Sequence, residues 1–115
     1  QYAHARLCAI MEQGKDIPLD VNGACLVEEK EKALLKILAE YPKEILSSAT
    51  TRSPYKITNY IQKLATSINE FYTICRVIDR NNIAVSSSRM ALCKASEIVL
   101  KNALEIIGVT APERM

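Results

Sequence analysis

Residues 53–75, SPYKITNYIQKLATSINEFYTIC, decide the fold. Ile57, Ile61, Leu64, Ile68, Phe71 and Cys75 recur at alternating steps of four and three, which lays one narrow apolar stripe along an α-helix. Ser53 offers a capping hydroxyl and Pro54 stands where its missing N–H costs nothing, so the helix is expected to start there. No strand pattern competes with this period.

The flanking segments read the same way. Downstream, Asp79 to Ile83 breaks the pattern, and Ser86-Ser87-Ser88 is expected to cap a last long helix. Its apolar side is read as Leu92, Ala95, Val99, Ala103, Ile106 and Ile107, and Gly108 suits the left-handed residue that ends it. Upstream, Glu28 to Tyr41 places Leu34, Leu35, Ile37, Leu38 and Tyr41 at helical spacing. Glu28, Glu29 and Glu31 suit the positive end of that helix dipole and read as solvated surface. Pro42 interrupts, and a short helix is expected over about 43–52. Residues 2–13 form a first helix with Tyr2, Ala5, Leu7, Cys8 and Met11 on its apolar side, stopped at Gly14. Residues 14–27, with Pro18 and Asn22-Gly23, form a long loop. The expected fold is all-α, a five-helix bundle with mainly antiparallel neighbours.

Composition agrees. One hundred and fifteen residues make one small domain, 1–115, and 49% hydrophobic with 24% charged residues is ordinary globular usage. Three Gly and four Pro are too few for a barrel or sandwich of many short strands. The formal charge of +2 excludes a strongly electrostatic binder of nucleic acid or membrane, though not one that reads shape. Residues 1–50 carry six Lys/Arg and eight Asp/Glu, and residues 51–115 carry nine and five, so a polyanion should prefer the second half. No apolar run approaches the ~20 residues of a membrane span, and no signal peptide opens the chain. A cytoplasmic protein without a membrane partner is expected. The sequence starts at Gln1 inside a helical pattern, without an initiator Met, and is expected to belong to something longer.

A catalytic constellation is not evident. Gly14, Gly23 and Gly108 stand alone and make no phosphate loop. Cys8, Cys25, Cys75 and Cys93 show no close pair, and with a single histidine they offer no metal-ligand spacing, so neither a metal nor a cofactor is expected. Buried reduced thiols are the expected state of these cysteines. His4 and Cys8 lie one helical turn apart, but no third group is evident to orient the histidine. Five of the six aromatic residues are tyrosines, and Tyr2, Tyr55, Tyr60 and Tyr72 lie near Arg6, Arg52, Lys56 and Arg76 in sequence. Such rings and guanidinium groups can grip unpaired bases, and equally can form the wet edge of a helical core.

Three stretches carry a resemblance. QYAHAR at the start and VLKNALEIIGVTAPERM at the end resemble the two signature stretches of the C-terminal, DALR-type anticodon-binding domain of arginyl-tRNA synthetase, a class I synthetase. Between them, ITNYIQKLATSINEFYTICRV is similar to the family's long middle helix, and SSSRMALCKA serves its Leu/Ala/Arg-type helix. The resemblance spans nearly the whole chain and implies an all-α domain that holds the tRNA anticodon loop. It places a separate catalytic domain, which uses ATP and Mg to activate arginine, upstream in the same chain. The HIGH-type and KMSKS-type motifs of that catalytic domain are absent here, so these residues are expected to bind tRNA and not to catalyse, with no role for DNA.

The resemblance also implies a site: Tyr2, His4 and Arg6 in the first helix, Asn59, Tyr60 and Arg76 from the middle of the chain, and Met115 with its carboxylate. Arg6 would meet a base edge or phosphate, or else form an ion pair that holds the tail to the first helix. His4 would contact the loop or pack. Asn59 and Tyr60 would be contacts or bundle structure, and Arg76 a contact or an internal ion-pair partner. The family usually carries Thr or Ser where Val27 stands. Val27 cannot cap the second helix, an expected cost of about 1 kcal/mol unless another group satisfies the amides. A helical protein-interaction module without an RNA role is the rival from another class, and the equivalent domain of a related class I synthetase is a third.

Overall fold

The computed structural model describes residues 2–51 and 54–108, and every regular element among them is helical. The chain runs through α1 (Tyr2–Gln13), α2 (Glu29–Ala39), α3 (Tyr41–Thr51), α4 (Pro54–Ile74) and α5 (Ile83–Ile106). The all-α class therefore holds. Glu40 alone separates α2 from α3, so the number of helices depends on whether that bend is taken as a boundary. Pro42 does not interrupt there; it lies in the first turn of α3, where no N–H is needed.

α4 is the central rod because its stripe is almost wholly apolar. Ile57, Ile61, Leu64, Ile68, Phe71 and Cys75 are all buried, none more than 6% exposed. It packs against α1, α2, α3 and α5, while α1 lies mainly on α5. Each large side chain of that stripe contributes about 1.5–3 kcal/mol of burial. Ser53, the expected cap of α4, lies outside the described residues.

α5 keeps part of its expected face, with Leu92 and Ala103 buried and Val99 and Ile107 packed against the core. The buried side is Ser86, Ser87, Ser88, Met90, Leu92, Cys93, Ser96, Leu100, Ala103 and Leu104, whereas Ala95 and Ile106 are exposed. The helix is apolar on several sides, and serines hold part of its core face. Those serines do not cap it. Asn82 is the N-cap, its side chain accepting from the Val85 N–H. Ser86 Oγ accepts from the Asp79 N–H at 2.7 Å and donates to the Asp79 carbonyl. Ser88 Oγ donates to Asp20 Oδ2 at 3.0 Å, and the Asp20 N–H donates to the Ser87 carbonyl, which ties the 14–28 loop to the start of α5. Arg80 holds the same loop through a two-point ion pair with Asp16, and that guanidinium holds the Asp16 carboxyl below its usual range. Gly108 takes φ +79°, the left-handed turn expected after α5.

The start of α2 corrects a second expectation. Glu28, not Val27, is its N-cap, and Glu31 Oε1 accepts the Glu28 N–H at 2.8 Å. Glu31 is fully buried rather than solvated, because its other oxygen receives Arg89 Nε of α5 at 2.5 Å. Arg89 also donates from Nη1 to the Arg76 carbonyl at 2.9 Å, so one guanidinium joins α5, α2 and the end of α4. The missing hydroxyl at Val27 is thereby offset by Glu31, four residues further on.

Candidate nucleic-acid interface

The first helix presents Tyr2 and Arg6 one turn apart, on one face. Across from them, Asn69 and Tyr72 lie three residues apart on α4. The Arg6 guanidinium carbon sits 5.1 Å from the Tyr2 ring centre and 4.1 Å from that of Tyr72. Nη1 donates to Asn69 Oδ1 at 3.0 Å. Two cation–π contacts and a hydrogen bond thus hold a long, flexible cation in one place. Tyr2 remains 54% exposed, leaving a ring surface of the kind on which an unpaired base stacks.

Beside this group, α1 and α5 enclose a cavity of about 790 Å³ lined by His4, Arg6, Cys8, Lys94, Glu97 and Lys101 among others. His4 is 1% exposed. Its Nδ1 lies 3.7 Å from Cys8 Sγ, and Cys8 Sγ donates to Glu97 Oε2 at 3.3 Å. A third group, Glu97, stands at the His4–Cys8 pair and comes from 89 residues beyond Cys8 in the chain. Glu97 accepts from the thiol, whereas in a nucleophile–base–orienter triad the third group holds the imidazole. Burial works to raise the Glu97 pKa, but the Lys94 ammonium, the Cys8 thiol and the nearby charges outweigh it and hold the carboxyl below its ordinary value.

The remaining expected site residues are scattered. Asn59 is exposed, near Ala33, Gln62 and Lys63 on the α2 side of α4. It lies ten residues before Asn69, about 15 Å along the helix. Tyr60 is only 3% exposed, with its hydroxyl donating to the Ile37 carbonyl at 2.6 Å and its ring 5.7 Å from that of Tyr41. Burial first, then the nearby Glu40, pushes its pKa up. Tyr60 is thus a core residue that ties α4 to α2, and no surface for a base is left on it. Tyr60→Phe is expected to cost about 1 kcal/mol of stability in denaturant unfolding while leaving RNA affinity unchanged; an affinity loss without a stability loss would return Tyr60 to the interface. Arg76 is exposed just beyond α4, its Nε donating to the Ile78 carbonyl, and the internal ion pair belongs to Arg89 instead. Met115 lies outside the described residues.

Comparison with known proteins identifies the family. The family model described as DALR anticodon binding domain matches residues 1–115, the whole chain. The chain belongs to that family. It is 44% identical over its whole length to an arginine–tRNA ligase of Shouchella clausii, and 43% to that of Bacillus subtilis. Arginine–tRNA ligase 1 of Halalkalibacterium halodurans is 41% identical. In each case the chain spans 21% of the relative's length.

Around the cavity of this DALR domain the sequence pointed to residues of α1 and to none of α5. Lys94, Glu97 and Lys101 follow steps of three and four, a polar stripe facing α1. That spacing was a usable signal, but the misplaced core face of α5 concealed it. No disulfide joins the described cysteines; the expected burial holds for Cys75 and Cys93 and not for the half-buried Cys8 and Cys25, and burial pushes the Cys93 thiol up to about 12. Among the described residues no helix is long and apolar enough to cross a membrane.

Proposed function

We propose that this domain receives the anticodon loop of an arginine-accepting tRNA on its α1–α5 face. On this reading the chain is a five-helix anticodon-binding domain of class I synthetase type, with α2 and α3 counted apart. A catalytic domain elsewhere in the same protein joins arginine to the tRNA with ATP and Mg, in the cytoplasm, and residues 1–115 have no activity alone. The observation that carries the reading is the Tyr2–Arg6–Tyr72 column beside a cavity lined by Lys94 and Lys101. The column supplies a stacking surface and a fixed guanidinium, and the lysines supply charge for phosphate oxygens. His4 shapes the cavity wall, and Met115 is assigned to the same pocket by the family resemblance alone. Asn59 and Arg76 fall outside this face.

A salt titration tests it. Arg6, Lys94 and Lys101 are few cations, and Lys94 already pairs with Glu97 at 3.0 Å. The slope of log affinity against log salt should therefore be shallow, about −2 for contacts with single-stranded RNA. Lys101→Ala should reduce its magnitude by about 0.7. A steep slope, or one that Lys101→Ala leaves unchanged, would place the RNA on another surface.

A further inference from the structure

We propose that His4, Cys8 and Glu97 form a binding site for a zinc-type divalent cation that clamps α1 to α5. One ligand atom from each residue can be chosen so that all three lie within 4.8 Å of one another. Two of the edges already have suitable lengths, although Cys8 Sγ also lies 4.0 Å from His4 Nε2, so the imidazole must turn to aim one nitrogen at the ion. With bonds of about 2.0–2.3 Å, a tetrahedral ion sets its ligands roughly 3.3–3.7 Å apart. Cys8 Sγ stands 3.3 Å from Glu97 Oε2 and 3.7 Å from His4 Nδ1. The histidine–carboxylate edge must also shorten, by about 1.4 Å if it is as long as the 4.8 Å limit.

The helix supplies the first two ligands without strain, since residues four apart lie on one face. The third comes from the facing helix. Donor chemistry selects the ion: imidazole nitrogen, thiolate sulfur and one carboxylate oxygen suit zinc, whereas calcium and magnesium take oxygen sets. Charge closes as well. A neutral imidazole, a thiolate and a carboxylate sum to −2, which a dication neutralises at a site whose histidine is 1% exposed. The Cys8 thiol gives up its proton to solvent as the ion binds.

Lys94 does not block this arrangement. It holds Glu97 through Oε1, while the oxygen that faces Cys8 is Oε2. The ammonium can keep its bond and orient the carboxylate, as outer partners of metal ligands do. Three protein ligands leave a fourth position, and the cavity beside them lets a water fill it. The sequence concealed the site because its ligands are split 89 residues apart, not grouped at a recognisable spacing.

The test uses the whole protein that carries this chain, stripped of metal with a chelator under reducing conditions. It is titrated with Zn²⁺ by calorimetry and with Co²⁺ as a spectroscopic substitute. Cys8→Ser and Glu97→Gln should each weaken binding at one site by more than the 10–100-fold typical of lost outer partners. Cys8→Ser should also remove a thiolate-to-cobalt absorption band. Calorimetry in two buffers of different ionisation enthalpy should count about one proton released per ion at that site. Cys25→Ser, a half-buried cysteine elsewhere, should behave as wild type. Circular dichroism establishes that each variant is folded. Unchanged zinc affinity and stoichiometry in Cys8→Ser, or no cobalt band that depends on Cys8, would overturn the proposal. Zinc bound through Cys8 but indifferent to Glu97→Gln would overturn the three-ligand assignment.

Discussion

Arg89→Ala is expected to remove about 3–5 kcal/mol of folding stability, the usual cost of breaking a buried ion pair from one side. The reason is what it leaves behind. Glu31 has no exposed surface, and its Oε2 would face the core without the guanidinium that now meets it. Arg89 also satisfies the Arg76 carbonyl, so the end of α4 loosens with it. For a domain whose total stability is about 5–15 kcal/mol, thermal melting should fall by roughly 15 °C. Glu31→Gln should cost less. Its amide oxygen can still accept the Glu28 N–H, and Arg89, 15% exposed, can turn toward water. Equal losses in the two variants would show that the pair matters for packing and not for charge. A melting point within about 2 °C of wild type in Arg89→Ala would contradict the arrangement of α2, α4 and α5 described above.

Arg6→Ala should lower affinity for an arginine-accepting tRNA by roughly 30-fold, about 2 kcal/mol. Two cation–π contacts of about 0.5–1 kcal/mol each hold Tyr2 and Tyr72 in register with the guanidinium, and the bond to Asn69 fixes the plane. Removing the side chain frees both rings and deletes a charge at the cavity mouth. Arg6→Lys should fall between, since it keeps the charge but loses the planar fork that can stack between two rings. On the proposed function, the change should raise KM for tRNA more than it lowers kcat in the full-length protein, because the proposal puts bond formation in another domain. Binding and charging like wild type in Arg6→Ala would remove the α1–α5 face from consideration.

The sequence and the structure agree where one physical effect dominates. α4 was legible because its apolar stripe is regular, and Ser67 is the one buried serine beside it among the described residues. α5 was not, because Ser86, Ser88 and Ser96 hold core positions there, made tolerable by hydrogen bonds to Asp79, Asp20 and the Leu92 carbonyl. At the same time Ile98 and Ile106 face outward, at 47% and 55% exposure. A reading of hydrophobic period alone must misplace such a helix. Glu31 failed for the converse reason: a charged residue in a first turn resembles surface until its partner, 58 residues away, is known. Tyr2 and Arg6 came from a recognisable stretch of sequence. Their fixed geometry depends on Asn69 and Tyr72, which no local spacing connects to them.

The packing of α1 mainly on α5 also sets an order of events during synthesis. A helix of twelve residues is marginal by itself in water. Closing the stretch of chain between Cys8 and Glu97 costs about 4 kcal/mol of entropy before any contact is regained. At ribosomal speeds of about 5–20 residues per second, roughly 4–16 s separate the emergence of the first helix from that of its main partner. Throughout that interval Leu7 and Ile10, and the histidine and thiol beside them, lack the surface that finally covers them. Within this domain, the helix proposed to meet RNA is thus the first to emerge and among the last to be covered.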